Sequence, residues 1–148
     1  MPDVKFFSIL PTNANASDRV TRMSISANLL QDAQQYSVNF VNSTDCTDNI
    51  SYHFKVIIPT QTIIENYKRN GEWSSLQKDT ELNIFDESSF CLEFVFDYAN
   101  SMMHVYQGRD SGHNFITKYE TLFSLSDIQA VQVWGDVQKV NQFALSYN

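Results

Sequence analysis

Apolar and polar residues alternate with a period of two along almost the whole chain. Val20, Arg22, Ser24 and Ser26 alternate with Thr21, Met23, Ile25 and Ala27. Runs of the same kind lie at residues 36–41, 50–58, 62–67, 90–96, 102–106, 130–137 and 142–147, the last with Phe143, Leu145 and Tyr147 on one face. Turn signals rich in Asn, Asp, Ser and Gly stand between them, at 13–15, 42–45, 70–71, 86–89, 100–101 and 107–110. The stretch 18–33 is long enough for a helix, but Val20, Thr21, Ile25 and the serines favour extended chain. A short helical turn fits 124–127. Short strands at a spacing of about 8–12 residues predict an all-β fold, a sandwich or a barrel. No internal repeat and no linker divides the chain, so one domain over residues 1–148 is expected.

Composition narrows the function classes. A chain of 148 residues suits one domain, and such a chain buries roughly 68–70% of its unfolded surface. Eleven Phe and seven Tyr supply an ample core, while four Gly and three Pro are too few for a low-complexity protein. The formal charge of −7 and a pI near 4.7 argue against nucleic acid or an anionic membrane as partner. The amino terminus does not read as a signal peptide, because Asp3, Lys5 and Ser8 interrupt its apolar run. No stretch approaches the ~20 apolar residues of a membrane span. Cys46 and Cys91 fit no metal spacing and no disulfide framework, so reduced thiols are expected. The sequons at Asn15, Asn42 and Asn49 read as Asn/Ser/Thr-rich loops. No metal or other cofactor is expected.

Candidate chemistry concentrates in residues 53–78. In the run 50–56, Tyr52, Phe54 and Val56 point one way, so His53 and Lys55 share the opposite, polar face. On the next run Ile64 and Asn66 share a face. The connection 58–62 is short enough to make the two strands neighbours, which would converge His53, Lys55 and Asn66 on one concave surface. Trp73 follows the Asn70-Gly71 turn, and Lys78 stands five residues further on. A polar floor beside one indole suits a sugar, whose ring has an apolar C–H face and hydroxyls that need fixed donors and acceptors. An enzyme is not expected. Glycoside hydrolysis needs two facing carboxylates, and Glu65, Glu72 and Asp79 offer no such pattern. No nucleophile with an adjacent base and no metal-ligand cluster occurs either.

The same stretch resembles the galectin carbohydrate-recognition domain. That family carries H-F-N-x-R, then V-x-N, then W-G-x-E-x-R. Here stand His53-Phe54-Lys55-Val56-Ile57, then Ile64-Glu65-Asn66, then Trp73-Ser74-Ser75-Leu76-Gln77-Lys78. Residues 36–40 resemble the family's preceding strand, Phe90-Cys91-Leu92-Glu93-Phe94 its F-x-L-x-F segment, and His113-Asn114-Phe115 its F-H-F/Y region. Residues 128–137 resemble its closing I-x-x-L-x-V-x-G-D-V strand. The resemblance covers nearly the whole chain. It implies an antiparallel β-sandwich of jelly-roll topology and a lectin function towards β-galactosides.

It also implies roles. His53 would contact the axial O4 of galactose, Asn66 its O6, and Trp73 would stack on its apolar face. Lys78 stands where the family has an Arg that reaches the second sugar, and a flexible ammonium is a weaker substitute for that planar fork. Lys55 replaces an Asn, Ile57 an Arg that also bonds O4, and Leu76 the Glu that orients the arginines. Losing three such groups would cost about 2–4 kcal/mol. Weak or altered sugar binding is therefore expected, with Lys55 and Lys78 favouring an anionic galactoside. The alternative is a galectin-fold module that contacts protein after losing sugar binding. The family further implies a location in the cytoplasm or outside the cell, by a route without a signal peptide. The strand-like termini at 4–10 and 143–147 lead to the expectation of a homodimer through edge strands.

Overall fold

The computed structural model describes residues 3–12, 18–108 and 114–147. In chain order its strands are β1 (Val4–Ile9), β2 (Val20–Leu29), β3 (Gln35–Val41), β4 (Ile50–Ile57), β5 (Thr62–Arg69), β6 (Glu72–Trp73), β7 (Lys78–Glu81), β8 (Ser89–Asp97), β9 (Met102–Gln107), β10 (Asn114–Glu120), β11 (Ala130–Gly135) and β12 (Val137–Tyr147). They form two antiparallel sheets. One runs β1-β11-β3-β4-β5-β6, with β7 also pairing β5; the other runs β10-β9-β8-β2-β12. The expected all-β sandwich is what forms. The one helical element among the described residues is a 3₁₀ turn at Leu125–Asp127, whose Ser124 side chain accepts from the Ser126 amide. Among the described residues no helix is long and apolar enough to cross a membrane.

Alternation places the core. Phe54, Val56, Phe94, Phe96, Val131 and Val133 are all buried between the sheets, as their parity predicts. Burying each such side chain contributes roughly 1.5–3 kcal/mol. Phe94 ties the two layers together, meeting the ring of Phe40 at 5.2 Å and that of Phe54 at 5.5 Å, both edge to face. The remaining parity of the first sheet faces outward. Register puts it in two cross-strand rows, Gln132–Asn39–His53–Asn66 and Trp134–Ser37–Lys55–Ile64.

Three strands escape the sequence pattern. β6 and β7 are two and four residues long, too short to show a period. β10 has a register shift between Phe115 and Thr117, which buries the neighbours Ile116 and Thr117 together and breaks the alternation. The single run read at 130–137 is two strands, because Gly135 adopts φ +105° and a Cβ there would lie 2.7 Å from the Gln35 carbonyl oxygen. The run read at 142–147 begins already at Val137 and carries three register shifts against β2. The turn at 13–15 and the ends of two further readings, Arg109-Asp110 and His113, lie outside the described residues. Both terminal strands are sheet edges on the same side of the sandwich, where Phe6 and Phe143 meet at 5.0 Å.

Candidate functional site

The outward rows of β11, β3, β4 and β5 floor a cleft of about 550 Å³, walled by Trp73 and Trp134. His53 lies at its centre. The His53 and Trp73 ring centroids are 4.6 Å apart, and His53 and Trp134 are separated by 6.2 Å. Burial, then the nearby Lys55 and Lys68 ammonium groups, push the His53 pKa down to about 3. The ring is therefore neutral across the physiological range. Its Nδ1 meets Asn39 Oδ1. The Asn39 amide nitrogen donates to Ser37 Oγ at 3.0 Å and to the Gln132 carbonyl at 3.4 Å, which leaves Oδ1 as an acceptor. Nδ1 thus carries the proton, and Nε2 is the acceptor of this histidine.

Asn66 is the cross-strand partner of His53. Its Nδ2 donates to the Ser74 carbonyl at 3.2 Å, and its Oδ1 accepts from the Tyr67 amide at 2.8 Å and from the Ser74 hydroxyl. These bonds lock the carboxamide at the base of the cleft, where it is only 2% exposed. Trp73 pairs with Lys68 across β5 and β6, and the Lys68 ammonium stands 5.3 Å from the indole centroid. Within about 6 Å such a cation is attracted by the ring. Trp73 is 44% exposed, so much of its surface is open for stacking.

Lys55 lines the cleft beside His53, but Lys78 does not. Lys78 pairs with Glu65 across β5 and β7, which turns its side chain to the inner parity of the sheet. Its ammonium donates to Thr117 Oγ1 at 3.1 Å and to the Lys118 carbonyl at 3.0 Å, and lies 3.9 Å from the fully buried Glu65 carboxylate. Glu65 in turn accepts from the Tyr52 hydroxyl at 2.5 Å and from Thr117 at 2.7 Å. Burial raises the Glu65 pKa, against the lowering effect of the Tyr52 and Thr117 hydrogen bonds and of Lys78. The residue that reaches the cleft from this segment is Gln77, one position earlier. Lys78, expected at a second sugar, thus has its ammonium in a polar seam between the sheets and outside the lining of the cleft. Leu76 is exposed, and neither it nor Ile57 lines the cleft.

Sequence reasoning missed Trp134, although its parity pointed to it. Val131 and Val133 face the core, so Gln132 and Trp134 must face out. Trp134 Nε1 donates to Gln132 Oε1 at 2.8 Å, and the ring packs on the small outer cluster of Val41, Ile50 and Ala130. Asp3 and Asp136 also line the cleft. Asp136 is held there by the Gln34 and Gln35 amides, which donate to its Oδ2 at 2.9 and 3.2 Å. The cleft is thus lined by charges of both signs, Lys55 on one hand and Asp3 and Asp136 on the other, with Asp3 paired to Lys5 at 3.2 Å. Among the described residues no group of His, Cys, Asp and Glu is arranged to hold a metal ion.

The galactoside-binding lectin family model matches residues 5–144, so the chain belongs to that family. Solved structures agree on the fold. Sheep galectin-11 in complex with glycerol aligns with a TM-score of 0.77 at 16% identity, covering 99% of each chain. Chicken galectin 2 aligns at 0.72 and 14% identity, over 88% of this chain and 95% of that one. The Caenorhabditis elegans galectin LEC-6 aligns at 0.71 and 14% identity, over 99% and 95%. Comparison with curated proteins finds no matching sequence.

Proposed function

We propose that this galectin-family lectin binds β-galactoside-containing glycans in the cleft between Trp73 and Trp134, weakly or with altered specificity. The observation that carries the reading is the pairing of His53 with Asn66 in one register position, with the Trp73 ring 4.6 Å from His53. A ligand hydroxyl donates to His53 Nε2, another oxygen accepts from Asn66 Nδ2, and the apolar sugar face lies on the exposed indole of Trp73. Lys55 brings a positive charge that the family's usual Asn lacks, and gives up that residue's acceptor oxygen. Each net hydrogen bond contributes only about 0.5–1.5 kcal/mol, so loss of the second-sugar contact from Lys78 leaves a shallow optimum. An anionic galactoside is favoured by Lys55 and Lys68 and opposed by Asp3 and Asp136.

Calorimetric titration with lactose, 3′-sulfated lactose and a glycan array tests this, with Trp73→Ala as control. Binding to the native chain and none to the variant is expected. Failure of the folded native chain to bind any galactoside overturns the reading. That outcome promotes a second one, a galectin-fold module that contacts protein, which the near-complete burial of His53 and Asn66 (8% and 2% exposed) favours. Under either reading the adjoining edges β1 and β12, with Val4, Phe7, Ile9 and Tyr147 exposed, suit a homodimer through the terminal strands. A single ~17 kDa species in sedimentation at high micromolar concentration would sink the dimer.

A further inference from the structure

Ser74 grips Asn66 with both its backbone and its side chain. The Leu76 amide donates to Ser74 Oγ at 3.0 Å, and the hydroxyl proton is directed at Asn66 Oδ1. The Ser74 carbonyl accepts from Asn66 Nδ2 at 3.2 Å. The other site on Oδ1 is filled by the Tyr67 amide at 2.8 Å. A carboxamide offers two acceptor sites and two donor protons. Inside this protein both acceptors and one donor are already occupied. One N–H is left for a ligand.

We infer that Ser74 is a specificity-determining residue of the cleft: by filling Asn66 Oδ1 it makes Asn66 a donor only. The inference rests on the galactoside reading for its ligand, while its amide chemistry stands apart from that reading. Asn39 treats His53 in the converse way, since it takes the Nδ1 proton and leaves Nε2 as an acceptor only. The two cross-strand partners therefore present opposite polarity to the same ligand. A hydroxyl proton is read at His53, and an oxygen lone pair at Asn66. A ligand hydroxyl facing Asn66 gains nothing from its own proton there. Removing the Ser74 hydroxyl would free an acceptor on Oδ1, and that proton would then acquire a partner.

The test uses methyl β-galactoside and the series in which each hydroxyl in turn is replaced by fluorine, which cannot donate. Affinities are measured for the native chain, Ser74→Ala and Ser74→Thr. At one ring position the hydroxyl-to-fluorine affinity ratio should widen about three- to tenfold in Ser74→Ala, the worth of one added hydrogen bond. Ser74→Thr keeps the hydroxyl and should return the native ratio. Equal weakening of every member of the series, with all ratios unchanged, would reduce Ser74 to a turn-former and overturn the inference. If no galactoside binds the native chain, the cleft reading fails, and the Asn66 side-chain amide is then read directly by NMR. Its carboxamide carbon resonance should move in Ser74→Ala and return in Ser74→Thr; a resonance unmoved by loss of the hydroxyl overturns the inference. Should Ser74→Ala not fold, Ser74→Gly replaces it.

Discussion

Asn66 and Glu65 are neighbours in sequence and belong to opposite worlds. Asn66 faces out with His53, Lys55 and Trp73, and Glu65 faces in with Tyr52, Thr117 and Lys78. Both assemblies are polar, and both include a lysine and an aromatic residue. They differ in how far their hydrogen-bonding capacity is filled. In the seam each member bonds another, and the bonds cross from one sheet to the other, so the group serves stability. In the cleft the internal bonds hold His53 and Asn66 still while leaving one acceptor and one donor over. Rigid groups with capacity to spare are what a binding site needs. The lesson is that spare valence separates the two, and residue type does not.

The largest blow to the comparison would come from Glu65→Ala. It leaves the buried Tyr52 hydroxyl without its acceptor, while Lys78 keeps Thr117, the Lys118 carbonyl and solvent, and should lower stability by about 1–3 kcal/mol. Galactoside affinity of the folded fraction should stay within about threefold, as read by urea unfolding and titration side by side. A parallel loss of affinity would merge seam and cleft into one unit.

The two regions should next part company in pH. His53 falls from 6.5 to about 3 on folding, so its contribution is present above 6.5 and is lost as pH falls towards 3. Glu65 is raised from 4.5, so its contribution is present below 4.5 and is lost as pH rises through the raised value. Unfolding free energies against pH should show the acid-side loss reduced in His53→Gln and the opposite slope reduced in Glu65→Gln. Unaltered slopes in both variants would remove the assigned causes. Galactoside affinity should be flat between about pH 5 and 8, because His53 stays neutral there.

Trp73→Ala should lower galactoside affinity at least tenfold, roughly 1.4 kcal/mol, and leave the thermal midpoint nearly unchanged because the ring is half exposed. A large stability loss would move Trp73 from the cleft into the core. Lys78→Ala should do the reverse on a smaller scale, costing about 1 kcal/mol of stability with no change in affinity. Weakened binding in that variant would restore the role that the family spacing assigns to it. The smallest effect concerns charge. A two- to threefold preference for 3′-sulfated lactose, fading with salt over a Debye length of about 8 Å, would show Lys55 and Lys68 outweighing Asp3 and Asp136. A preference unaffected by salt would point to shape instead.

The fold was legible because strand alternation is local. Phe54 and Val56, or Val131 and Val133, declare the inner face by themselves, and His53, Lys55 and Asn66 follow on the outer one. The same logic fails wherever parity is reset between strands. Between Trp73 and Lys78 the chain leaves one short strand and enters another, so a five-residue step that keeps the family's spacing brings Gln77 to the cleft and turns the half-exposed Lys78 towards Glu65 and Thr117. Spacing alone does not carry the twist of an irregular link. Ser74 was invisible for a related reason, since a serine in a turn has no period, and its partner is known only once the turn is folded. Trp134 could have been found, because its strand had been placed and its outward parity was already implied.

The positions of the two indoles have a practical consequence. The chain contains two tryptophans, and both of them wall the cleft. Its intrinsic tryptophan fluorescence therefore originates at this cleft, with no indole elsewhere to dilute the signal. Each ring is also placed differently, Trp73 beside an ammonium and half open to water, Trp134 hydrogen-bonded and packed on aliphatic side chains. Iodide would quench the exposed Trp73 ring in preference to the covered Trp134, and the difference separates the two signals. The protein thus carries its own pair of unlabelled probes, one at each wall, able to report which side of the cleft an arriving molecule touches first.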